Sequence, residues 1–119
     1  MGASESKPTT AQVAARISDE IASIHRQSYG ETVDAVQTHI HDDSVVCVLD
    51  ITLLPHEQTL LDHDRGRDSI RMIRREYQEV IAPTFTPAVE PGRRVIGFLS
   101  ETHIDPAFRV EFFRLAPTA

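Results

Sequence analysis

The sequence predicts an α+β fold in which a four-stranded, mainly antiparallel sheet packs on a long kinked helix. Apolar side chains recur at three- and four-residue spacing from residue 66 to about residue 89, as in an amphipathic helix. Two β-like runs precede this stretch and two follow it. Because a helix cannot bury its apolar stripe alone, we expect both pairs to form the sheet that covers it.

The composition is that of one folded domain. The chain has 119 residues, 40% of them hydrophobic, with a formal net charge of -6 and one cysteine. An acidic balance argues against general affinity for nucleic acid, and a single cysteine allows no intrachain disulfide. No stretch reaches the roughly 18 apolar residues of a membrane span, and the polar N-terminus has no signal-peptide core. We expect a cytoplasmic protein.

The first helix follows a short tail. We expect residues 1–8 to form a disordered tail and residues 9–116 to form a single domain. Thr9 or Thr10 can cap the helix, and Gly30 is placed to end it in the left-handed conformation. One apolar face is formed by Val13, Ile17, Ile21 and Ile24.

The first strand pair is a predicted antiparallel hairpin. Residues 32–40 alternate polar and apolar side chains, and a polar turn follows at residues 41–44. Residues 45–53 are nearly all apolar. That pattern predicts a central strand with both faces covered.

Two helices come next. Pro55 fits the first position of a short helix that ends near Asp62 and places Leu60 and Leu61 inward. The long helix should kink or restart at Pro83. We expect its apolar stripe to contain Ile70, Ile73, Tyr77, Val80 or Ile81, Thr84 or Phe85, and Ala88, with Arg67, Arg71, Arg74 and Arg75 lying off it.

The last strand pair closes the predicted fold. Residues 95–100 form the third strand, residues 102–106 a turn, and residues 108–115 the fourth strand. Alternation places Phe108, Val110 and Phe112 on one face of that strand, and Phe113 and Leu115 on the other.

Four stretches of the chain are informative by their order and spacing: IHRQSYGETVDAVQTHIHDDSVVCVLD, LLPHEQTLL, RGRDSIRMIRREYQEVIAPTF and RRVIGFLSETHIDP. Taken together they resemble the MpsC-like family, formerly a domain of unknown function and named after a Na+-translocating membrane potential-generating system. The chain departs from the family pattern at Leu54, where a threonine cap is usual, and at the turn over residues 100–106, which is one residue longer. The resemblance implies a cytosolic accessory protein of a membrane ion or inorganic-carbon system, with a transporter subunit as its partner and no known catalytic residues.

A candidate anion site lies at the start of the long helix. Free N–H groups and the helix dipole at Gly66 favour a negative group, and paired guanidinium groups hold phosphate, bicarbonate or a nucleotide. The candidate residues are Gly66, Arg67, Arg71, Arg74 and Arg75. The alternative is a solvated face balanced by neighbouring carboxylates.

A candidate metal site is formed by His39 and His41, which share one face of the first strand. A third ligand from His56, His63 or His103 would complete a zinc-type site. The alternative is a polar hairpin face with two solvated imidazoles.

Self-association is the third candidate. Phe108, Phe112 and Phe113 form either part of the core or an exposed patch that pairs with a second copy. Cys47, in an apolar run, should be a buried thiol with a raised pKa rather than a nucleophile.

The sequence therefore favours a non-enzymatic accessory or regulatory module, dimeric, with no cofactor, no nucleic-acid partner and no membrane span. A small-anion-binding or nucleotide-binding domain is the first alternative and a metal-binding protein the second. An enzyme is the least favoured.

Overall fold

Seven elements follow one another in the computed structural model, which describes residues 7–30, 32–90 and 93–117. They are α1 (Thr10–Tyr29), β1 (Thr32–Ile40), β2 (Ser44–Thr52), α2 (Pro55–Leu60), α3 (Gly66–Val89), β3 (Val95–His103) and β4 (Phe108–Leu115). The predicted α+β class and element order are confirmed. The predicted tail lies, except for Lys7 and Pro8, outside the described residues.

The four strands form one antiparallel sheet in the order β1-β2-β4-β3. Each hairpin pairs its own strands, and β2 joins the two hairpins by pairing with β4. In that central pair Val45 lies opposite Phe113 and Val48 opposite Val110.

Local signals set the ends of α1 as predicted. Thr9 accepts from the backbone N–H of Gln12 at 3.1 Å, and the Gln12 side chain accepts from the Thr9 N–H at 2.8 Å, a capping box. Gly30 ends the helix with φ of 66°. At α2, Leu54 provides no side-chain cap, and instead its N–H donates to the Glu57 carboxylate at 2.9 Å.

The main core lies between the sheet and two helices, α1 and α3, which pack on the same face. It is formed by Ile17, Ile21, Ala22, Val33, Val45, Cys47, Leu49, Ile51, Phe85, Ala88, Val89, Phe113 and Leu115. A smaller cluster of Leu53, Ile70 and Ile104 lies beside α2, and Leu60 and Leu61 pack against it, as the sequence predicts.

The buried face of α3 differs from the predicted one. Ile73 is 49% exposed and Tyr77 38%, whereas Arg74 is only 3% exposed, so the prediction that Arg74 lies off the buried stripe is wrong. A buried carboxylate on α2, described below, provides the partner that lets an arginine take an inward position. Helical spacing then turns Ile73 outward.

The prolines of α3 do not interrupt it. The helix runs through Pro83 and Pro87 without the restart that we predict, and the kink stays a prediction. Pro83 and Pro87 remove the helical donors of the Glu79 and Pro83 carbonyl groups. Glu79 is exposed to solvent, and the Pro83 carbonyl accepts from the Thr86 hydroxyl at 3.4 Å.

The second face of the sheet is open. β2 is central, as predicted, but the prediction that both its faces are covered is wrong, because the helices of the described chain pack on one face only. The uncovered face carries Val46, Val48, Phe108, Val110 and Phe112, which are partly buried, and Leu99, which is 69% exposed. We call these six residues the open sheet face.

Candidate functional site

A buried ion pair connects the two helices that follow β2. Nε and Nη2 of Arg74 in α3 donate to Oε2 and Oε1 of Glu57 in α2, at 2.6 and 2.7 Å. Both side chains are almost fully buried. This two-point geometry is the strong form of the arginine–carboxylate pair, and it fixes the short α2 against α3.

A second buried group of charges lies on the inward side of β4. Nε2 of His25 lies 2.8 Å from Oε1 of Glu111, and Nε of Arg109 lies 3.4 Å from the same oxygen. The three side chains are at most 1% exposed. Two cationic or hydrogen-bonding partners thus compensate one buried carboxylate.

Tyr29 and Gln78 connect the two charge groups. The Tyr29 ring lies 4.7 Å from the Arg109 guanidinium carbon and 5.2 Å from that of Arg74, a cation–π arrangement with both. The Tyr29 hydroxyl donates to Oε1 of Gln78 at 2.8 Å, and Nη2 of Arg109 donates to the same oxygen. Burial raises the pKa of Tyr29, and the Arg109 charge opposes that rise. The buried polar cluster is therefore His25, Tyr29, Glu57, Arg74, Gln78, Arg109 and Glu111.

A cleft opens from this cluster to the surface between α3 and β3. Its lining is Arg71, Arg74, Arg75, Gln78, Ser100, Glu101, Thr102 and Arg109, which we call the arginine cleft. The cavity in this cleft has a volume of about 10 Å³, room for one water molecule, and it is open to solvent on one side. Four guanidinium groups and one carboxylate thus border a small opening.

Two buried donors at the arginine cleft have neither a hydrogen-bond acceptor nor a charge partner among the residues that the structure describes. They are Nη1 of Arg109 and Nε2 of Gln78. Arg109 is 1% exposed and Gln78 7%, so bulk water does not reach them freely. Buried donors of this kind are normally satisfied by an ordered water or an ion.

The structure divides the predicted anion-binding residues. Gly66 packs so closely on α2 that a Cβ there would lie 1.6 Å from the Leu60 carbonyl oxygen, and Arg67 is exposed beside it. Arg71, Arg74 and Arg75 line the arginine cleft, farther along α3, and Arg75 lies 3.5 Å from Glu101. Arg71 also borders the surface cavity that Gly66 and Arg67 line at the start of the helix.

Sequence reasoning missed the buried charges of β4. Alternation places Arg109 and Glu111 on the same side as Phe113 and Leu115, which the sequence already assigns to one face. Two opposite charges on the inward face of a strand are the signal that could have revealed this part of the cluster, because buried charges need partners.

The predicted metal ligands His39 and His41 are exposed at the end of the β1–β2 hairpin. The described residues contain no group of three or more histidine, cysteine or carboxylate side chains with the geometry to hold a metal ion. The ring of His103 lies 2.8 Å, at Nδ1, from the Pro106 carbonyl oxygen instead.

Cys47 is fully buried and burial raises its pKa to about 11, as the sequence predicts. Thr38 donates its hydroxyl to the sulfur at 3.5 Å.

The predicted interface phenylalanines are on opposite faces of β4. Phe113 is fully buried in the core, so it is a core residue and not part of an exposed patch. Phe108 and Phe112 lie on the open sheet face, half-buried, with the exposed Leu99 paired opposite Phe112.

Among the helices that the structure describes, none has both the length and the apolar character needed to cross a bilayer. Comparisons with curated proteins and with solved structures give no match. The model of one family, described as Na+-translocating membrane potential-generating system (MpsC), matches residues 9–117, nearly the whole chain. The chain therefore belongs to the MpsC family.

Proposed function

We propose that this protein is a non-enzymatic accessory module of a membrane ion or inorganic-carbon transport system, and that it acts in the cytoplasm as a homodimer. The family description, a Na+-translocating membrane potential-generating system, supports the link to such a system. The observation that carries the proposal of an interaction module is the open sheet face, an apolar surface on the side of the sheet away from both long helices.

The groups that could do chemistry support a structural role. His25 and Glu111 are fully buried and occupied by each other, and the Cys47 thiol is buried with a raised pKa. A nucleophile or a general base has to reach its substrate. These side chains stabilise the domain, and we expect binding partners to contact residues at the surface.

We propose a second copy of the chain as the occupant of the open sheet face. Its apolar centre, Val48 and Val110, lies between Asp50 at one end and Arg114 at the other. A two-fold axis in the plane of the interface and across the strands sets Asp50 of each copy against Arg114 of the other, where it competes with Asp43, which lies 3.5 Å from Arg114 in the same chain. Apolar rows then meet in the middle, a self-complementary arrangement.

Leu99→Glu tests the dimer. Leu99 is 69% exposed, so the substitution leaves the folded monomer intact while it buries a carboxylate in the proposed interface. Size-exclusion chromatography with light scattering should give a dimer for the wild type and a monomer for the variant. Val80→Glu is the matched control, because Val80 is 75% exposed on α3, away from the open sheet face, and this variant should remain dimeric. A wild type that is monomeric at high concentration refutes the dimer.

The accessory role is tested on membranes. Affinity purification from native membranes, with the bound proteins identified by mass spectrometry, should recover a transport subunit with the wild type. Vesicles from cells that lack the protein should build a smaller sodium-dependent potential, and added wild type should restore it. Unchanged potential in both conditions contradicts the proposal.

A further inference from the structure

We propose that the arginine cleft binds one small inorganic oxyanion, with Arg71 and Arg75 holding it at the surface and Arg109 and Gln78 donating from below. This site shares Arg71, Arg74 and Arg75 with the anion site that the sequence predicts, and it contains Arg109 and Gln78 in place of Gly66 and Arg67. Ser100, Thr102 and Arg109 of the cleft lie on the helix-covered side of the sheet, whereas Glu101, opposite Val110, lies where the cleft borders the open sheet face.

The Arg109 guanidinium, which forms the floor of the site, is held by several contacts. Nη2 of Arg109 donates to Ser100 Oγ at 2.7 Å and to Gln78, while its Nε faces Glu111. These contacts hold the guanidinium in place and leave Nη1 without an acceptor. The neighbouring Nε2 of Gln78 is a second buried donor without one. An oxyanion oxygen in the enclosed part of the cleft can accept from donors of this kind.

The size of the cleft sets the class of ligand. The cavity of the cleft, about 10 Å³, admits a single oxygen atom, so the rest of the ion has to lie on its solvent side, where Arg71 and Arg75 are exposed. A nucleotide base has no apolar slot there, since the lining consists of polar and charged side chains. Phosphate and bicarbonate share the required chemistry, an oxygen to insert and further oxygens for guanidinium groups.

Glu101 provides a second test of the proposal, in which a substitution should strengthen anion binding. Its carboxylate lies 3.5 Å from Arg75, and both side chains are well exposed. The carboxylate therefore competes with an incoming anion for the Arg75 guanidinium. Removing its charge should tighten anion binding, a result that a merely structural role of Glu101 does not produce.

The experiment is titration calorimetry of the full chain with sodium phosphate and, separately, sodium bicarbonate, each against sodium chloride at equal ionic strength. Arg71→Gln combined with Arg75→Gln should weaken binding at least about tenfold, since each removes a charge-assisted hydrogen-bonding group. Arg67→Gln, an exposed arginine on the same helix outside the cleft, should leave the Kd within about twofold, allowing for the weak long-range attraction of one surface charge.

Glu101→Gln should lower the Kd several-fold, whereas Glu76→Gln, with the same change of charge on an exposed residue of α3, should not. The anion that binds with the lower Kd, phosphate or bicarbonate, identifies the ligand of the cleft. No heat with either anion overturns the proposal. Equal weakening by the Arg67 and the cleft substitutions overturns it too, because binding would then follow net charge rather than the cleft.

Discussion

Arg74 holds Glu57 at two points, with Nε 2.6 Å from Oε2 and Nη2 2.7 Å from Oε1, and both side chains are withdrawn from water. The pair connects α3 to the one-and-a-half turns of α2 and orients the turn between them. It is also the reason why an arginine occupies an inward position of a helix whose other inward residues include Ile70 and Phe85.

Removing one charge of this pair should lower the free energy of unfolding strongly, whereas replacing both residues with apolar ones should lower it little. Glu57→Gln leaves a buried guanidinium without its counter-charge, and we expect a loss of about 3 kcal/mol in the free energy of unfolding. Glu57→Met combined with Arg74→Leu should cost only about 1 kcal/mol, because apolar side chains of similar volume need no charge compensation and the remaining loss is that of the acceptor for the Leu54 N–H. Urea denaturation of both variants measures the difference. A double variant as unstable as the single one would contradict this account.

The ring of Tyr29 should matter more than its hydroxyl. Tyr29→Phe removes the hydrogen bond to Gln78 and keeps the ring beside both guanidinium groups, so we expect a cost of about 1 kcal/mol. Tyr29→Leu also removes the cation–π contacts and should cost about 3 kcal/mol. Thermal and urea unfolding of both variants provide the test, and equal costs would show that the ring contributes little.

Gly66 is required by the close contact of two helices. Its substitution by alanine puts a Cβ 1.6 Å from the Leu60 carbonyl oxygen, so α2 and α3 must move apart. We expect Gly66→Ala to destabilise the protein by about 3 kcal/mol, at the upper end for overpacking. Gly97→Ala is the matched control, because there the nearest atom, Cβ of Arg114, lies 3.5 Å away. Similar melting temperatures for the two variants would exclude the helix contact as the cause.

Cys47 should make the fold sensitive to alkaline pH. Burial raises its pKa from 9.0 to about 11, so the folded state favours the neutral thiol. The contribution of the thiol is complete below pH 9 and is lost as the pH rises towards 11, because the unfolded chain releases the proton first. Each pH unit in this window is worth about 1.4 kcal/mol.

Between about pH 8 and pH 10.5, wild type should therefore lose about 2 kcal/mol more stability than Cys47→Ala, with both measured by urea denaturation. The comparison cancels the titration of lysine and tyrosine, which both proteins share. Parallel pH profiles for the two proteins would show that the thiol has an ordinary pKa.

The sequence by itself determines the elements of this protein and their order. Thr9 and Gly30 delimit α1 as predicted, because a capping box and a left-handed glycine act within one helical turn. The bounds of α3 and β4 also agree with the prediction, since spacing and alternation are visible in a short window.

Only the tertiary structure decides which groups share the interior. His25 and Glu111 are 86 residues apart, and Arg74 and Glu57 are 17 apart on different helices. Whether an arginine faces the core depends on a partner that lies elsewhere in the chain, because a buried charge is stable only when another group compensates it. An analysis of periodicity treats every arginine as polar and therefore predicts that it faces solvent. Packing reverses that assignment at Arg74 and leaves Ile73 in the solvent.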